Sequence, residues 1–442
     1  MAVSQDTIFA LSSGSLPSGV AIVRLSGPRC RQTLETICGR VPAPRRASLL
    51  PVRDGGGLVL DEGLVLFFPG PGSFTGEDTA ELQIHGGRAT VKAVLSMLGA
   101  LEGLRAAEAG EFSRRAFQNG RMDLVAVEGL ADLIAAETEM QRRLAAEHAA
   151  GHLSALYDSW AKRLTHARAM IEAELDFADE DDVPGSVAST IWQDMQGLKQ
   201  DIVNHLAGAH VGEIVRDGFN VVIAGPPNAG KSSLLNYLAQ RDIAIVTDVP
   251  GTTRDVLHVD LDLLGYAVRL HDTAGLRDTD DIVEREGIRR TQRSIAEAHL
   301  VLLLSSDPDI DWAGLSADYT GPRLRVLTKS DERADAWTPD GVDVMISVTS
   351  GEGMTALLDA VGGFLPDLES GQALSLPTRD RHFSNLRDAL GHIGSALDAG
   401  PLGLDIQAEY LRLAGHALGR VTGRVDVENL LDVIFSEFCI GK

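Results

Sequence analysis

One stretch restricts the possible architecture more than any other: Phe219 to Leu235, FNVVIAGPPNAGKSSLL. The apolar run Val221-Val222-Ile223-Ala224 reads as a buried strand. It ends in Gly225-Pro-Pro-Asn-Ala-Gly-Lys-Ser232, the spacing G-x-x-x-x-G-K-[ST], and passes into the helix-forming Ser233-Leu234-Leu235. Strand, phosphate loop and helix follow in that order, which commits this part of the chain to an α/β layer. Glycines let the backbone wrap closely, so that the N–H groups of Asn228, Ala229, Gly230, Lys231, Ser232 and Ser233 can face phosphate oxygens. The positive end of the helix macrodipole lies behind them. Lys231 would add a point charge at the terminal phosphates, and the Ser232 hydroxyl would hold magnesium.

The segments behind the loop extend the nucleotide reading. Ile243 to Asp255 contains Thr247-Asp-Val249-Pro-Gly-Thr252-Thr253-Arg-Asp, and a strand from Val268 to His271 leads into Asp272-Thr273-Ala274-Gly275. Asp272 at a strand end would reach magnesium through water, Thr253 is the second candidate ligand, and the Gly275 N–H would sense the third phosphate. Strands Val301 to Leu304 and Leu324 to Leu327 precede Thr328-Lys329-Ser330-Asp331. Asp331 can accept two hydrogen bonds from the N1–H and exocyclic amine of guanine, a donor pair that adenine lacks. Ser347-Val348-Thr-Ser350 would bring backbone N–H groups to the guanine oxygen. GTP is therefore expected over ATP, although Thr328 and Val348 stand where Asn and Ala are more usual.

The chain has 442 residues, more than one typical core. Residues 6–118 read as a small α+β domain with strands Gly19–Leu25, Leu64–Phe68 and Ala80–His85. Helical spacing follows from about Asn119. Leu153, Leu156, Trp160, Leu164, Ala167, Ile171 and Leu175 form one amphipathic stripe, and Ile191, Met195, Leu198, Ile202 and Leu206 form another. Helical pattern returns only after Pro377, in Phe383–Leu397, Ile406–Leu418 and Val427–Phe438. The expected division is 1–118, an N-terminal α+β domain; 119–212 and 376–442, two parts of one discontinuous helical bundle; and 213–375, a nucleotide-binding domain inserted between them. No segment is a long uncharged apolar run and no basic region followed by an apolar core opens the chain, so a cytoplasmic protein with no membrane partner is expected. Cys30, Cys38 and Cys439 form neither a paired motif nor a cluster with histidine, so neither a disulfide framework nor a zinc site is expected.

The segments DTIFA, GVAIVRLSG, SFTGEDTAELQIHGG, GEFSRRAFQNGRMDLVAVEGLADLI and the closing IFSEFCIGK are not part of any generic GTPase. With the nucleotide motifs, they make the chain resemble the MnmE (TrmE) tRNA-modification GTPases over nearly its whole length. The resemblance implies a multidomain α/β protein: a folate-binding, dimerising N-terminal domain, a discontinuous helical bundle and an inserted Ras-like GTPase domain that depends on potassium. It implies a homodimer that works with a FAD-containing partner, MnmG (GidA), to add an aminomethyl- or carboxymethylaminomethyl-type group at carbon 5 of the wobble uridine of certain tRNAs. The one-carbon unit would come from 5-formyl- or 5,10-methylene-tetrahydrofolate. By motif, Arg24, Glu81, Arg121 and Lys442 would meet the folate, Arg121 standing where the family often has Lys. Ras-like GTPases put a water-orienting glutamine two positions after Ala274, which here is the apolar Leu276. The family gives the catalytic role to a glutamate in the next segment, here Glu284. Asn228, the carbonyls of Thr247 and Val249, and Thr252 would hold potassium. Cys439 is either a nucleophile in the modification chemistry or an inert thiol.

A second reading is a regulatory GTPase switch of the ribosome-assembly type, with residues 1–118 docking an RNA or a protein. The formal charge of −23 weighs against nucleic acid unless a local basic patch or a basic partner presents it. No basic appendage is apparent, and the folate motifs and CIGK tail favour the enzyme.

Overall fold

The computed structural model describes residues 6–176, 187–241, 243–245, 258–272, 298–315, 319–333, 340–368 and 374–425, with 431, 434, 435, 438 and 441 of the closing stretch. They fall into two compact units, one of residues 1–131, 148–199 and 384–442, the other of 132–147 and 200–383.

The first unit begins with a six-stranded sheet: β1 (Thr7–Leu11), β2 (Ser18–Ser26), β3 (Ser48–Arg53), β4 (Val59–Phe68), β5 (Thr79–Gly86) and β6 (Leu104–Ala106), in spatial order β3-β4-β5-β2-β1-β6. All neighbours are antiparallel except β1 and β6. Helices α1 (Cys30–Cys38) and α2 (Arg88–Gly99) cover one face. They bury Leu34, Ile37, Val91, Val94 and Leu98 against Val23, Leu25, Val65, Phe67 and Leu82. Cys30 and Cys38 are free thiols in this layer. Burial pushes the Cys38 thiol up to about 11, which keeps it protonated and inert at neutral pH.

Helix α3 (Glu111–Gln118) lies on the other face, where Phe112 packs with Ile8, Ala10, Ala107 and Phe74. Helices α4 (Leu124–Ala135) and α5 (Glu139–Ala149) lead to α6 (His152–Asp176), whose stripe is buried at Leu153, Tyr157, Trp160, Leu164, Ala167 and Ile171. Its two ends differ from the sequence reading: Leu156 is half-buried beside the buried Tyr157, and Leu175 is 40% exposed. Steps of four and three from Leu153 land on Tyr157, because 3.6 residues per turn rotates Leu156 off the seam. Helix α7 (Val187–Ala207) buries Ile191, Met195, Leu198 and Ile202.

In the second unit, helix α8 (Ala209–Asp217) precedes a sheet of β7 (Phe219–Ala224), β8 (His258–Leu263), β9 (Tyr266–Asp272), β10 (Leu300–Ser305), β11 (Arg323–Leu327) and β12 (Val344–Met345). The spatial order is β12-β11-β10-β7-β9-β8, parallel throughout except β8 against β9. Every residue of β10 is buried, as a central parallel strand covered on both faces requires. Helices α9 (Lys231–Ala239) and α10 (Met354–Gly362) flank the sheet. Met140 and Leu144 of α5, which the sequence assigns with the helical part, belong to this core, and the Met140 N–H donates to the Gly265 carbonyl. Helices α11 (Asp380–Asp398) and α12 (Leu404–Thr422) follow; α12 packs along α6 in the first unit.

Candidate functional site

The phosphate loop leaves the C-terminal end of β7, which lies between β9 and β10. The chain visits one side of β7 with β8 and β9 and the other with β10 to β12, so the loop opens at the crevice where an α/β sheet binds its ligand. The loop is drawn tightly against the sheet. A Cβ on Gly225 would stand 2.2 Å from the Leu304 carbonyl oxygen, closer than any side chain tolerates. Asn228 and Gly230 take φ of 64° and 89°, and Gly230 caps α9. Lys231, nearly buried, donates from Nζ to the Gly225 and Pro226 carbonyls, both at 2.9 Å. Ser232 Oγ donates to Asp272 Oδ2 at 3.1 Å. A hydroxyl and a carboxylate oxygen at that separation are hard ligands that suit magnesium.

The segments expected from sequence to read the base lie beside this loop. Thr328, 1% exposed at the end of β11, has its Oγ1 2.9 Å from the Ala229 carbonyl and 3.2 Å from that of Ser305. The hydroxyl therefore ties the phosphate loop to the sheet at the position where asparagine is more usual. Lys329 is left-handed at φ 58°, which turns Ser330 to Glu332 into a short 3-10 turn and leaves Asp331 exposed. The Ser330 N–H donates to the Ile346 carbonyl, joining this turn to Ser347 and the half-buried Val348. Ser347 Oγ accepts from the Ser350 N–H at 3.1 Å. Thr247, Val249, Thr252, Thr253, Thr273, Ala274, Gly275, Leu276 and Glu284 lie outside the described residues.

A second constellation sits on the sheet of the first unit. Arg24 and Glu81 face each other across β2 and β5, and Arg24 Nη2 donates to Glu81 Oε1 at 3.0 Å. The Arg24 guanidinium carbon lies 5.4 Å from the Phe74 ring centroid and 5.9 Å from that of Phe112. The residues that hold those rings were not singled out from sequence. Arg115, 4% exposed, is bound to Asp6, Glu77 and Glu111, and Glu77 Oε2 accepts from Ser26 Oγ at 2.7 Å. Phe74 and Glu77 lie in SFTGEDTAELQIHGG, and Phe112 and Arg115 in GEFSRRAFQNG, so the signal was present but its partners were not. Arg121 is exposed with its Cγ beside Gly76 of that segment, and Asn119 Nδ2 donates to the Thr75 carbonyl.

The closing stretch returns to this domain. Phe435 and Phe438 pack with Val127, and Ser12 Oγ, just past β1, donates to the Gly441 carbonyl at 2.7 Å. At φ 104°, a Cβ on Gly441 would meet the Leu11 carbonyl oxygen at 2.3 Å, so glycine is required there. Cys439 and Lys442 lie outside the described residues.

Comparison with known proteins covers nearly the whole chain. Residues 7–121 match the model of the GTP-binding protein TrmE N-terminus, and 124–439 match the MnmE helical domain. The chain belongs to the MnmE (TrmE) family. The tRNA modification GTPase MnmE of Rhizobium meliloti (strain 1021) is 61% identical over 440 residues, 100% of each chain. That of Brucella melitensis biotype 1 is 52% identical over 449 residues, 99% of this chain and 98% of the relative. Among solved structures, Aquifex aeolicus Era bound to GDP.AlF4- covers 42% of this chain and 67% of that chain at 20% identity with a TM-score of 0.27, too slight a likeness to add to the family match. No described helix is long and apolar enough to cross a membrane.

Proposed function

We propose that this MnmE-family protein hydrolyses GTP and couples that cycle to modification of carbon 5 of a wobble uridine in tRNA, with a folate as one-carbon donor. The observation that carries the reading is the Arg24–Glu81 pair, framed by two aromatic rings, in the same chain as a phosphate loop whose Ser232 meets Asp272. A generic switch has use for the second feature only.

In this reading the N–H groups of Asn228 to Ser233 cradle phosphate oxygens, and Lys231 exchanges loop carbonyls for the terminal phosphates. Ser232 and Thr253 hold magnesium, with Asp272 behind. Asn228, the Thr247 and Val249 carbonyls and Thr252 hold potassium. Asp331 reads guanine, with Thr328, Lys329, Ser347 and Val348 shaping that edge. Glu284 orients the attacking water in place of the missing glutamine. Arg24, Glu81, Arg121 and Lys442 bind the folate, which when bound supplies the one-carbon unit, and Cys439 stands by for the transfer. A homodimer acting with the FAD-containing MnmG (GidA) completes the reading.

Titration of purified protein with 5-formyltetrahydrofolate tests it. Binding is expected to weaken about tenfold or more in Arg24→Gln and in Glu81→Gln, the size of one lost charge-assisted hydrogen bond. Wild-type protein that is folded yet binds no folate, or wild-type affinity in both variants, refutes the assignment.

A further inference from the structure

The most basic stretch of this acidic chain lies near its start. Residues 29–53 contain Arg29, Arg31, Arg40, Arg45, Arg46 and Arg53 but a single carboxylate, Glu35, a local charge of +5 in a chain of net −23. Several arginines elsewhere are set against carboxylates, as Arg105 on Glu111, Arg163 on Asp194 and Arg325 on Asp343 are. In this stretch, among the described residues, only Arg29 approaches one, Glu102, at 3.9 Å. Arg31 instead lies over the Phe67 ring at 4.9 Å, and Arg45 lies 5.9 Å from the Phe68 ring centroid and donates to the Gly72 carbonyl. Arg40 and Arg46 are exposed, and their guanidinium groups make no hydrogen bond or ion pair among the described residues.

The sheet places this charge. Phe67 faces the α1 layer, so Phe68, the next residue of β4, faces the side that carries Arg24 and Glu81. Arg31 and Arg45 therefore bracket the end of β4 from its two faces. β3 begins at this end, with Ser48 opposite Val65, and places Arg45 and Arg46 beside it. Phe68 stands opposite Thr79, which is two residues, roughly 7 Å along β5, from Glu81.

We propose that Arg31, Arg45 and Arg46 form the docking surface for the phosphate backbone of the tRNA substrate, a proposal that rests on the tRNA-modification reading above. Guanidinium forks match phosphate oxygens, and two of them are steadied on aromatic rings, which lowers the entropy lost on binding. The acidic remainder repels a polyanion, so approach is steered to this end of the sheet. The same end leads to the pair proposed to hold the one-carbon donor, which an acidic protein partner would have no reason to approach.

The test is binding of bulk bacterial tRNA to the full chain, followed by fluorescence anisotropy at several salt concentrations. The comparison is between wild type and Arg45→Gln/Arg46→Gln, which spares Arg31 because its guanidinium lies over Phe67. Each phosphate contact contributes about 0.7 to 0.9 to the slope of log affinity against log salt. The double variant is expected to lose about 1.5 from that slope and about tenfold in affinity at about 0.1 M salt, while melting temperature, GTP turnover and folate binding stay at wild-type values. Unchanged affinity and slope overturn the proposal, as does a wild type that binds no tRNA. Retained tRNA binding with loss of an acidic protein partner also overturns it and makes the patch a protein interface. A wild type that binds tRNA through these arginines but binds no folate refutes the folate reading alone.

Discussion

Glu111 shows how single residues hold the candidate folate face together. It is 8% exposed and accepts hydrogen bonds from Arg105, from the Glu108 N–H at 3.0 Å and from Arg115 Nη2 at 2.9 Å. Burial by itself would raise its pKa, but the hydrogen bonds from Arg105, the Glu108 N–H and Arg115 outweigh burial and hold the carboxyl below its ordinary 4.5. A carboxylate whose folded pKa is depressed contributes stability that is present above the unfolded value and lost as pH falls through the folded one. Glu111→Gln should therefore cost about 3 kcal/mol at neutral pH, as breaking a buried ion pair does, and the gap from wild type should narrow as pH falls below 4.5. Denaturant unfolding at several pH values checks this, and a gap that is constant down to about pH 3 contradicts it. Little of this network was legible. Sequence gives Arg24 and Glu81 as candidates through a resemblance, but that Phe74 and Phe112 flank the guanidinium, and that Arg115 carries three carboxylates, follows from strand register and from where α3 lands. Thr328 was legible only as a departure from the usual asparagine. Its bond to the Ala229 carbonyl needs two chain segments 99 residues apart to meet.

Among elements, β7, the phosphate loop and α9 were legible because their chemistry is local: an apolar run, a spaced pair of glycines and a helix start. The stripe of α6 was legible in its period but not at its ends. The second unit's use of 132–147 was not, since helical spacing tells which face is buried and not what covers it. The loop itself carries a prediction. Asn228 holds a left-handed φ of 64° within the phosphate loop, where potassium is proposed to replace an arginine finger. GTP hydrolysis should run faster in potassium than in sodium, and Asn228→Ala should erase the difference, with roughly 1 kcal/mol of added backbone strain at a left-handed alanine. Glu284→Ala, in the same assay, should keep GTP affinity and lower turnover by on the order of a hundredfold. Equal wild-type rates in the two ions contradict the potassium site, and turnover within about twofold of wild type contradicts the role of Glu284.

At the scale of the whole molecule, the two compact units interrupt each other in sequence: the chain leaves the first after residue 131, rejoins it for 148–199 and closes in it from 384. That return puts Gly441 on Ser12, at the end of the strand that neighbours Arg24. The family match over the full length and the presence of a phosphate loop and an Arg24–Glu81 pair in one polypeptide make the central claim that both sites serve a single product. The most direct test is nucleoside mass spectrometry of tRNA from a strain in which this chain is the sole family member. Wild type should give a wobble uridine carrying an aminomethyl-type group at carbon 5. Lys231→Ala, aimed at the phosphate loop, and Glu81→Gln, aimed at the folate face, should each leave that uridine bare, the first with folate binding intact and the second with GTP hydrolysis intact. Modified uridine at wild-type levels in either variant, or bare uridine with the wild-type chain, would contradict it.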